Sequence, residues 1–448
     1  MVTIAAALAR VKDDVRQLFP AEQIIRICGS IGHEFRLRTL GPVETMFAFF
    51  VQVLHGNTAC SHVRHLIGLE FTEAAYCQAR ARLPLELFRR LLRWACRALR
   101  QATDTFGRWR GHRLVLIDGS GLSMSDTPEL QAHFGVPGGQ RPGCGFPVAH
   151  VLAMFDAATG FLLDVLSAPL RSHDLPHAPA LHPRLQAGDV LVGDRAFCSY
   201  VHLALLLLRN LHGVFRLHQK VLYRFGSGRS HSRPGKRSAK GHPMSRPIRR
   251  LGEQDEIVEW SKPKRRPNWI SQGDFDRLPD SLLLRQVRYR VWTRGSRTRE
   301  VTLVTTLLNE QAYPKEELAQ VYRSRWRVET NLRHLKETMG MDVLRCKTVE
   351  GVQKELLMFA LVYNLVRCVM LEAGRRQGVS PDRISFVDAL RWLCAYRPGQ
   401  RLHRLKVNLL RPFRLEPRVR KRRPKEYPLM KRPRRELHQM LENQSVIA

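Results

Sequence analysis

The sequence predicts a mixed α/β protein in which helices cover a β-sheet. Two short apolar runs, residues 112–118 and 188–194, each end in an aspartate and have the pattern of buried strands. Residues 148–155 and 161–166 are further strand-like segments, and the turn sequence DAATG that joins them is typical of a β-hairpin. A helical pattern over residues 200–209 follows the second aspartate. Strands and helices that alternate in this way predict a sheet layered with helices.

The first 105 residues are predicted to form a helical region. Apolar residues recur at helical spacing in Val43–Leu54 and in Leu85–Leu99. The second of these stretches carries cations at successive helical steps, namely Arg89, Arg93, Arg97 and Arg100. Such a face is either solvated or in contact with DNA, and the pattern leaves both interpretations open.

A β-rich insertion is expected at residues 217–300, so that the core is made in two parts, 106–216 and 301–378. Within the insertion, residues 256–261 and 282–293 alternate like strands. The stretch Phe225–Arg250 is rich in Gly, Ser, Arg, Lys and Pro, and it predicts a basic loop with a flexible middle.

The second part of the core is predicted to begin with a strand over residues 301–308. A long helix over 315–339 follows Pro314, and a buried helix is expected over 350–372. Residues 379–448 are interpreted as a basic C-terminal region that contacts DNA or forms a dimer interface. Its densest run of cations comprises Arg418, Arg420, Lys421, Arg422, Arg423 and Lys425.

The charge of the chain favours a nucleic-acid partner. Lys and Arg number 74 against 40 acidic residues, which gives a formal net charge of +34 and a pI near 10.9. An anionic membrane is the competing partner, but the apolar runs are shorter than the roughly 18 residues that a membrane span requires. Nine cysteines stand at least 17 residues apart, so no CxxC pair exists. We therefore expect free thiols, no membrane attachment and a cytoplasmic location.

Asp118 and Asp194 end two predicted strands, where their side chains can converge at one edge of the sheet. With a third acid from a helix, such a site suits phosphodiester chemistry with two Mg²⁺ ions, roughly 3.5–4 Å apart. Each aspartate alone is a weak signal. Asp118 can cap the following turn, and Asp194 can cap a helix or pair with Arg195.

A stripe of polar side chains on the predicted long helix strengthens this interpretation. The steps of three, four and seven residues place four side chains along one helical face, namely Tyr322, Arg325, Glu329 and Lys336. A carboxylate flanked by two cations and a phenol matches a metal ligand beside phosphate-binding groups. By itself the stripe is better explained as a surface ion pair between Arg325 and Glu329.

These motifs together resemble a known family. The Tyr322-x2-Arg325-x3-Glu329-x6-Lys336 pattern is similar to the Tyr-Arg-Glu-Lys signature of the bacterial insertion-sequence transposases called the insertion-sequence-four family. Asp118 in IDGS and Asp194 in GDRAF resemble the first two acids of that family's DDE triad. The resemblance spans residues 110 to 375, and the long gap before Glu329 holds the insertion that such transposases carry.

The resemblance implies a ribonuclease H-like core in which Asp118, Asp194 and Glu329 bind two Mg²⁺ ions, with Mn²⁺ as a substitute. It further implies that Tyr322, Arg325 and Lys336 grip double-stranded DNA, and Arg195 is placed with them as a DNA-contacting candidate. Family members, associated with the bacterial nucleoid when bound to DNA, cut the inverted repeats at both element ends as a homodimer, pass through a DNA hairpin and join the element to target DNA. A Trp of the insertion stacks on a flipped base. Trp292 is the candidate here, ahead of Trp260 and Trp269.

Two other functions remain as alternatives: a metal-dependent nuclease that does not join DNA, and a DNA-binding protein that has lost catalysis. Other acids and histidines are assigned structural places. Asp126 and Asp156 are expected in turns, Asp174 as a helix cap, and His150 and His173 as ordinary residues. The sequence has no Walker loop, so ATP is not implied.

Overall fold

The N-terminal region of the protein is helical in the computed structural model, which describes residues 21–36, 38–138, 144–218, 221–226, 229–232, 244–291, 300–395, 404–409 and 432–445. Local signals set the helix ends. The Thr72 hydroxyl accepts a 3.1 Å hydrogen bond from the Ala75 N–H at the start of the helix Glu73–Arg82. Gly68, with a φ of +65°, ends the helix Cys60–Ile67. The helices are α1 (Ala21–Ser30), α2 (Pro42–Leu54), α3 (Cys60–Ile67), α4 (Glu73–Arg82) and α5 (Leu85–Ala102).

The central sheet starts as a three-stranded antiparallel meander and continues with two strands parallel to the first. The strands are β1 (Leu114–Met124), β2 (Val148–Asp156), β3 (Leu162–Pro169), β4 (Val190–Gly193) and β5 (His212–Arg216). Their spatial order is β3-β2-β1-β4-β5. Helices α6 (Pro128–Phe134), α7 (Asp174–Leu181) and α8 (Tyr200–Leu207) lie between them in the chain. The predicted mixed α/β sheet is confirmed, and the strand order is consistent with a ribonuclease H-like core.

The insertion continues this sheet instead of forming a separate one. Its elements are β6 (Val221–Arg224), β7 (Arg229–Ser232), β8 (Ser245–Gly252), β9 (Asp255–Ser261), helix α9 (Gln272–Asp276) and β10 (Ser281–Arg290), and β11 (Glu300–Thr305) then returns the chain to the core. Strand β11 pairs antiparallel with β5, and β10, β9 and β8 follow in that order. Strands β6 and β7 pair with each other as a small second sheet.

One expectation for the insertion is wrong. The predicted basic loop, Phe225–Arg250, contains most of β8, which is a regular strand at the edge of the sheet. Most of its side chains are exposed. An exposed edge strand needs no alternation of apolar and polar residues, and its cations discourage pairing with other chains. The middle of the predicted loop lies outside the described residues.

From residue 315 onward, the described part of the chain is mostly helical and contains one short strand. It comprises α10 (Lys315–Ser324), α11 (Trp326–Arg333), a π-helical turn (His334–Thr338), β12 (Val343–Leu344), α12 (Val349–Gln377), α13 (Phe386–Cys394) and α14 (Arg434–Ser445). Strand β12 pairs parallel with the far end of β1. The densest run of cations in the predicted basic region lies outside the described residues.

Two apolar layers cover the two faces of the sheet. Side chains of β1 alternate between them, because Leu116 packs with one hydrophobic cluster while Val115 and Ile117 pack with the other. The first cluster joins the N-terminal helices to α12, and the second contains α7 and α8. Helix α12 is long and apolar enough to cross a membrane, but its most apolar 18-residue window is completely buried within the fold. Its composition is therefore that of a core helix.

The N-terminal helices share their core with the rest of the protein. Glu355 on α12 is fully buried, and its carboxylate accepts a 2.6 Å hydrogen bond from Asn57 Nδ2, between α2 and α3. The same carboxylate accepts 2.9 Å bonds from the backbone N–H groups of Arg345 and Cys346. A buried charge with three donors fixes the relative position of these segments. All nine cysteines are free thiols in the structure.

Candidate active site

Asp118 lies on β1 just beyond the point where the pairing of β1 with β4 ends. The sequence predicts that the strand ends at this residue, and this is wrong, because β1 continues six residues further to Met124. Its pairing with β4, however, stops at Leu116, opposite Val192. Asp118 therefore stands at the carboxyl end of the β1–β4 pair although it is in the middle of β1, and β2 and β12 support the rest of the strand.

Asp194 is brought beside Asp118 by the same register. Leu116 faces Val192, so two residues further along each chain Asp118 is level with Asp194, just after β4 ends at Gly193. The Asp194 carboxylate accepts a 2.7 Å hydrogen bond from the Ala196 N–H, which holds the turn that follows. The adjacency predicted for the two aspartates is thus present in the structure, and Arg195 lies half-buried in the same turn.

The environment of Asp118 disfavours its charge. Burial raises its pKa from 3.8 to about 6, and the charges of Asp194 and Asp174 add to this effect. The Arg325 guanidinium and the Gly119 N–H, which donates to Asp118 Oδ1 at 2.9 Å, act in the opposite direction. The result is a carboxylate that a nearby cation would stabilise strongly.

This raised pKa predicts a pH-dependent difference in stability between the wild type and Asp118→Asn. Because the folded pKa of about 6 exceeds the unfolded value near 3.8, the associated stability is present below 3.8 and is lost as the pH rises through about 6. In EDTA, Asp118→Asn should therefore have the higher melting temperature at pH 7.5, and the difference should shrink at pH 5. Thermal unfolding at both pH values measures it. Parallel pH profiles for the two proteins would contradict the pKa assignment.

Arg325 lies between the first and the third acid. Its Nη1 is 3.4 Å from Asp118 Oδ2, and its Nη2 is 3.2 Å from Glu329 Oε1. The Arg325 side chain is 10% exposed, whereas that of Glu329 is 46% exposed. One guanidinium thus links a carboxylate of the sheet to a carboxylate of α11, and the two acids flank the same position.

The chain is distorted where these residues lie. The single helix predicted over residues 315–339 is divided at Arg325, because the Arg325 N–H bonds to Tyr322 O and the Val328 N–H bonds to Arg325 O, each three residues back. After α11 the chain widens into the π-helical turn that carries Lys336. A tightened turn and a widened turn change which side chains share a face, as is common at functional sites.

The remaining stripe residues are placed differently from one another. Lys336 Nζ donates a 3.0 Å hydrogen bond to Ser120 Oγ on β1, so it reaches across to the strand of Asp118. Lys336, Ser120, Asp118 and Glu329 line one open cleft. Tyr322 instead is 7% exposed and packs beneath Arg325, whose guanidinium carbon is 6.0 Å from the tyrosine ring centre. Tyr322 therefore supports the guanidinium from below.

The tryptophans also differ in position. Trp260 is 3% exposed and belongs to the hydrophobic core, and Trp269 is half-buried against the same core. Trp292 lies outside the described residues. Trp326, which sequence analysis missed, is 57% exposed and lies 4.9 Å from the Arg325 guanidinium. In the sequence, Trp326 directly follows Arg325. That position indicates a functional role only when the tryptophan side chain is known to be exposed.

Two further acids have structural positions, and a third does not have its expected one. Asp156 accepts three hydrogen bonds within its hairpin turn, and Asp126 accepts one from Gln131. Asp174 was expected to cap a helix. That position belongs to His173, and Asp174 instead bonds to His150 next to the site. The local pattern resembled a cap because Asp174 does begin α7.

The donor set fits a hard divalent cation only in part as it stands. Asp118 and Asp194 are adjacent carboxylates, the ligand type that Mg²⁺ and Mn²⁺ take in small number together with substrate oxygens. Within the described parts of the chain, no three His, Cys, Asp or Glu side chains already converge as a metal cage. The reason is visible at Glu329, which Arg325 separates from Asp118. Two adjacent carboxylates thus stand at the sheet edge, and the carboxylate of Glu329 stands across the Arg325 guanidinium from Asp118.

Paired carboxylates at a sheet edge, faced by cations from a helix across a cleft, suit a protein of the class that carries out metal-assisted phosphoryl transfer. The chain belongs to the family described as "Transposase DDE domain", whose model matches residues 109–365, more than half of the chain. The chain therefore carries a transposase DDE domain, and membership of this family implies dependence on divalent metal ions in general.

Curated relatives agree with this assignment. The chain is 27% identical over 320 residues to "Transposase InsG for insertion sequence element IS4" of Escherichia coli (strain K12), covering 70% of this chain and 65% of that protein. It is 23% identical over 381 residues to "Probable transposase for insertion sequence element IS5377" of Geobacillus stearothermophilus, covering 83% and 88%. The predicted resemblance to the insertion-sequence-four family is confirmed.

One solved structure is also similar at low identity. It is the cryo-EM structure of the piggyBac transposase synaptic complex with hairpin DNA, at 12% identity and a TM-score of 0.44, covering 90% of this chain and 84% of that one.

Proposed function

We propose that this protein excises an insertion sequence and joins it to target DNA through a ribonuclease H-like catalytic core. One observation carries the proposal: Asp118 and Asp194 lie side by side, and a single guanidinium links Asp118 to Glu329. Three carboxylates from a sheet edge and a facing helix are what repeated phosphodiester chemistry at one site requires.

Asp118, Asp194 and Glu329 are the residues proposed to hold the metal, with Mg²⁺ as the physiological ion and Mn²⁺ as a substitute. The bound ions supply activation of the attacking oxygen and stabilisation of the leaving oxygen. Asp118 and Asp194 hold their place through strand register, while Glu329, the most exposed of the three, is positioned by Arg325. Strand pairing thus holds Asp118 and Asp194 in place, whereas the ion pair with Arg325 holds Glu329.

Cations around the cleft are proposed to hold the DNA. Lys336, fixed on Ser120, lines the cleft and supplies a positive charge where a phosphate next to the cut would lie. Farther away, Arg89 and Arg97 of α5 are exposed, whereas Arg93 pairs with Glu86. We propose that α5 contacts the DNA of the element ends, in line with the net positive charge of the chain.

The assembly is proposed to be a homodimer that brings two inverted repeats together in the bacterial cytoplasm, on the nucleoid. Incubation of the full chain with DNA that carries its element ends, target DNA and Mg²⁺ tests this function. Strand-transfer products are expected, because a DDE site can use a freed 3′-OH as well as water as its nucleophile. Cleavage without joining would instead define a nuclease, and binding without cleavage would define an inactive DNA-binding protein.

Trp326 is proposed to stack on a base during hairpin formation. It is exposed beside Glu329 and rests on the Arg325 guanidinium, whereas Trp260 is buried and unable to meet a base. Trp326→Ala should therefore lose most hairpin product but retain first-strand nicking, since base stacking contributes about 1–3 kcal/mol. Gel analysis of both products measures this, with Trp326→Phe as the conservative control. If Trp326→Ala gives a normal hairpin yield and Trp292→Ala does not, the base stacks on Trp292 of the insertion and not on Trp326.

A further inference from the structure

Two thiols lie side by side on the N-terminal helices. Cys60 is the first residue of α3 and Cys77 lies in the middle of α4, and their Sγ atoms are 3.7 Å apart. The sulfurs of a disulfide are about 2.05 Å apart, so the two thiols need to approach each other by less than the width of one atom. The pair thus stands within a small side-chain movement of a cross-link between the two helices.

Cys77 gives this pair access to solvent. The structure describes all nine cysteines, and among them Cys77 is the exposed one, whereas Cys60 is half-buried. Partial burial, and then the neighbouring Cys60, raise the pKa of the Cys77 thiol. The thiolate is the form that reacts with oxidants, so we expect Cys77 to react slowly and to require an excess of oxidant.

Hydrogen-bond donors surround the sulfur of Cys60. It accepts a hydrogen bond from the Cys77 thiol, and further donors are Gln52 Nε2 at 3.8 Å and Arg80 Nη1 at 4.0 Å. A guanidinium and an amide N–H stabilise the negative charge on a sulfur that attacks as a thiolate. Cys60 therefore has the surroundings of a resolving thiol, which attacks an oxidised partner and completes a disulfide.

The two helices that carry this pair are held to the core unequally. Helix α4 is bonded to the core near its end, because Lys354 Nζ on the buried helix α12 donates a 2.9 Å hydrogen bond to Ala81 O. Helix α3 has eight residues, and the two that are buried are Val63 and Ile67. A bond between the two sulfurs would therefore tie the less deeply packed helix covalently to the helix that is anchored on α12.

We propose that Cys60 and Cys77 form a modification site, a peroxide-sensitive dithiol whose disulfide locks α3 onto α4. Hydrogen peroxide oxidises the Cys77 thiolate to a sulfenic acid, and hydroxide leaves as the O–O bond breaks. The Cys60 thiolate then attacks the Cys77 sulfur, so that an S–S bond forms, the S–O bond breaks and the oxygen leaves as water. In total two thiols are oxidised and one peroxide is reduced to two water molecules. A reducing dithiol reverses the bond by thiol–disulfide exchange.

Thiol titration of the full-length protein tests the proposal. The folded protein is treated with an excess of hydrogen peroxide, the peroxide is removed, and the thiols are counted after unfolding. The wild type should fall from nine thiols to seven and return to nine with dithiothreitol, whereas Cys77→Ser should keep all eight of its thiols. The control is Cys394→Ser, which removes a half-buried thiol that donates to Leu54 O, and its count should fall from eight to six.

Peptide mapping and hydrogen exchange identify the bond and its effect. Mapping should find the Cys60–Cys77 disulfide, and a bond from Cys60 to Cys346, whose sulfur accepts a 2.8 Å hydrogen bond from Arg80, would overturn the proposal. Amide exchange in α3 should slow about 10-fold or more in the oxidised wild type and stay unchanged in peroxide-treated Cys77→Ser. A wild-type count of nine after peroxide would refute the dithiol, and a disulfide that leaves exchange in α3 unchanged would refute the lock.

Discussion

Asp118→Asn is expected to bind element ends like the wild type and to cleave them at least ~10³-fold more slowly. Asparagine preserves the size of the side chain and can still accept the hydrogen bond from the Gly119 N–H. It removes the charge that would hold a cation beside Asp194. Metal-assisted stabilisation of the reacting oxygens contributes several kcal/mol, and each 1.36 kcal/mol corresponds to a tenfold change in rate.

The measurement is cleavage of labelled end DNA in single-turnover reactions, with end binding followed in parallel by gel shift. Asp164→Asn is the matched control, because it removes a carboxylate from the same sheet that is bound to Arg184 and not to the cleft. It should cleave like the wild type. Cleavage by Asp118→Asn at the wild-type rate would show that the active site has been placed wrongly.

The second large effect is expected from Arg325→Gln, which should slow cleavage about 100-fold or more. The 10%-exposed guanidinium faces both Asp118 and Glu329, and its charge lowers the pKa of Asp118 against the effect of burial. Without it the two acids repel each other and Glu329 loses its orientation. Removal of one positioned donor from an active site commonly costs a factor of 10²–10³.

Arg325→Lys separates charge from geometry in this second experiment. Lysine keeps the positive charge but lacks the planar fork that reaches two carboxylates, so partial activity is expected. Arg327→Gln on α11, two residues further along, is the control, because Arg327 bonds to Ala157 O and pairs with Asp382, away from the cleft. Equal cleavage by Arg325→Gln and Arg327→Gln would mean that the guanidinium between the acids has no catalytic importance.

The strands of the core were predictable because a fully buried strand leaves a continuous run of apolar residues in the sequence. Val115, Leu116 and Ile117 are all fully buried, so a continuous apolar run marks the strand correctly. The strand end was not predictable. Beyond Asp118, four of the six remaining residues of β1 are glycines or serines, which give little strand signal, and the strand stays extended because β2 and β12 bond to it. For the same reason the exposed edge strand β8 has the sequence pattern of a loop.

The candidate site was predictable where it depends on spacing within one element or one strand pair. Arg325 and Glu329 are four residues apart on the chain and form an ion pair. Asp118 and Asp194 each stand two residues beyond the last paired residues of β1 and β4, which places them side by side. The contact between Lys336 and Ser120 joins segments 216 residues apart, and no local period encodes it. The exposure of Trp326 likewise depends on how α11 packs on β1. The catalytic and DNA-binding roles of the site residues stay predictions.

The pairing of β5 with β11 makes the insertion, in topological terms, one very long hairpin loop. The chain leaves the core at Arg216 and returns opposite it at Leu303, so the two ends of the insertion are hydrogen-bonded neighbours. A short turn between β5 and β11 would therefore close the core without moving either strand. The same excision would uncover the outer edge of β11, where Val301 and Leu303 now pair with β10, and leave an adhesive strand. A minimal enzyme built from this core would thus have to be redesigned along one strand to remain monodisperse.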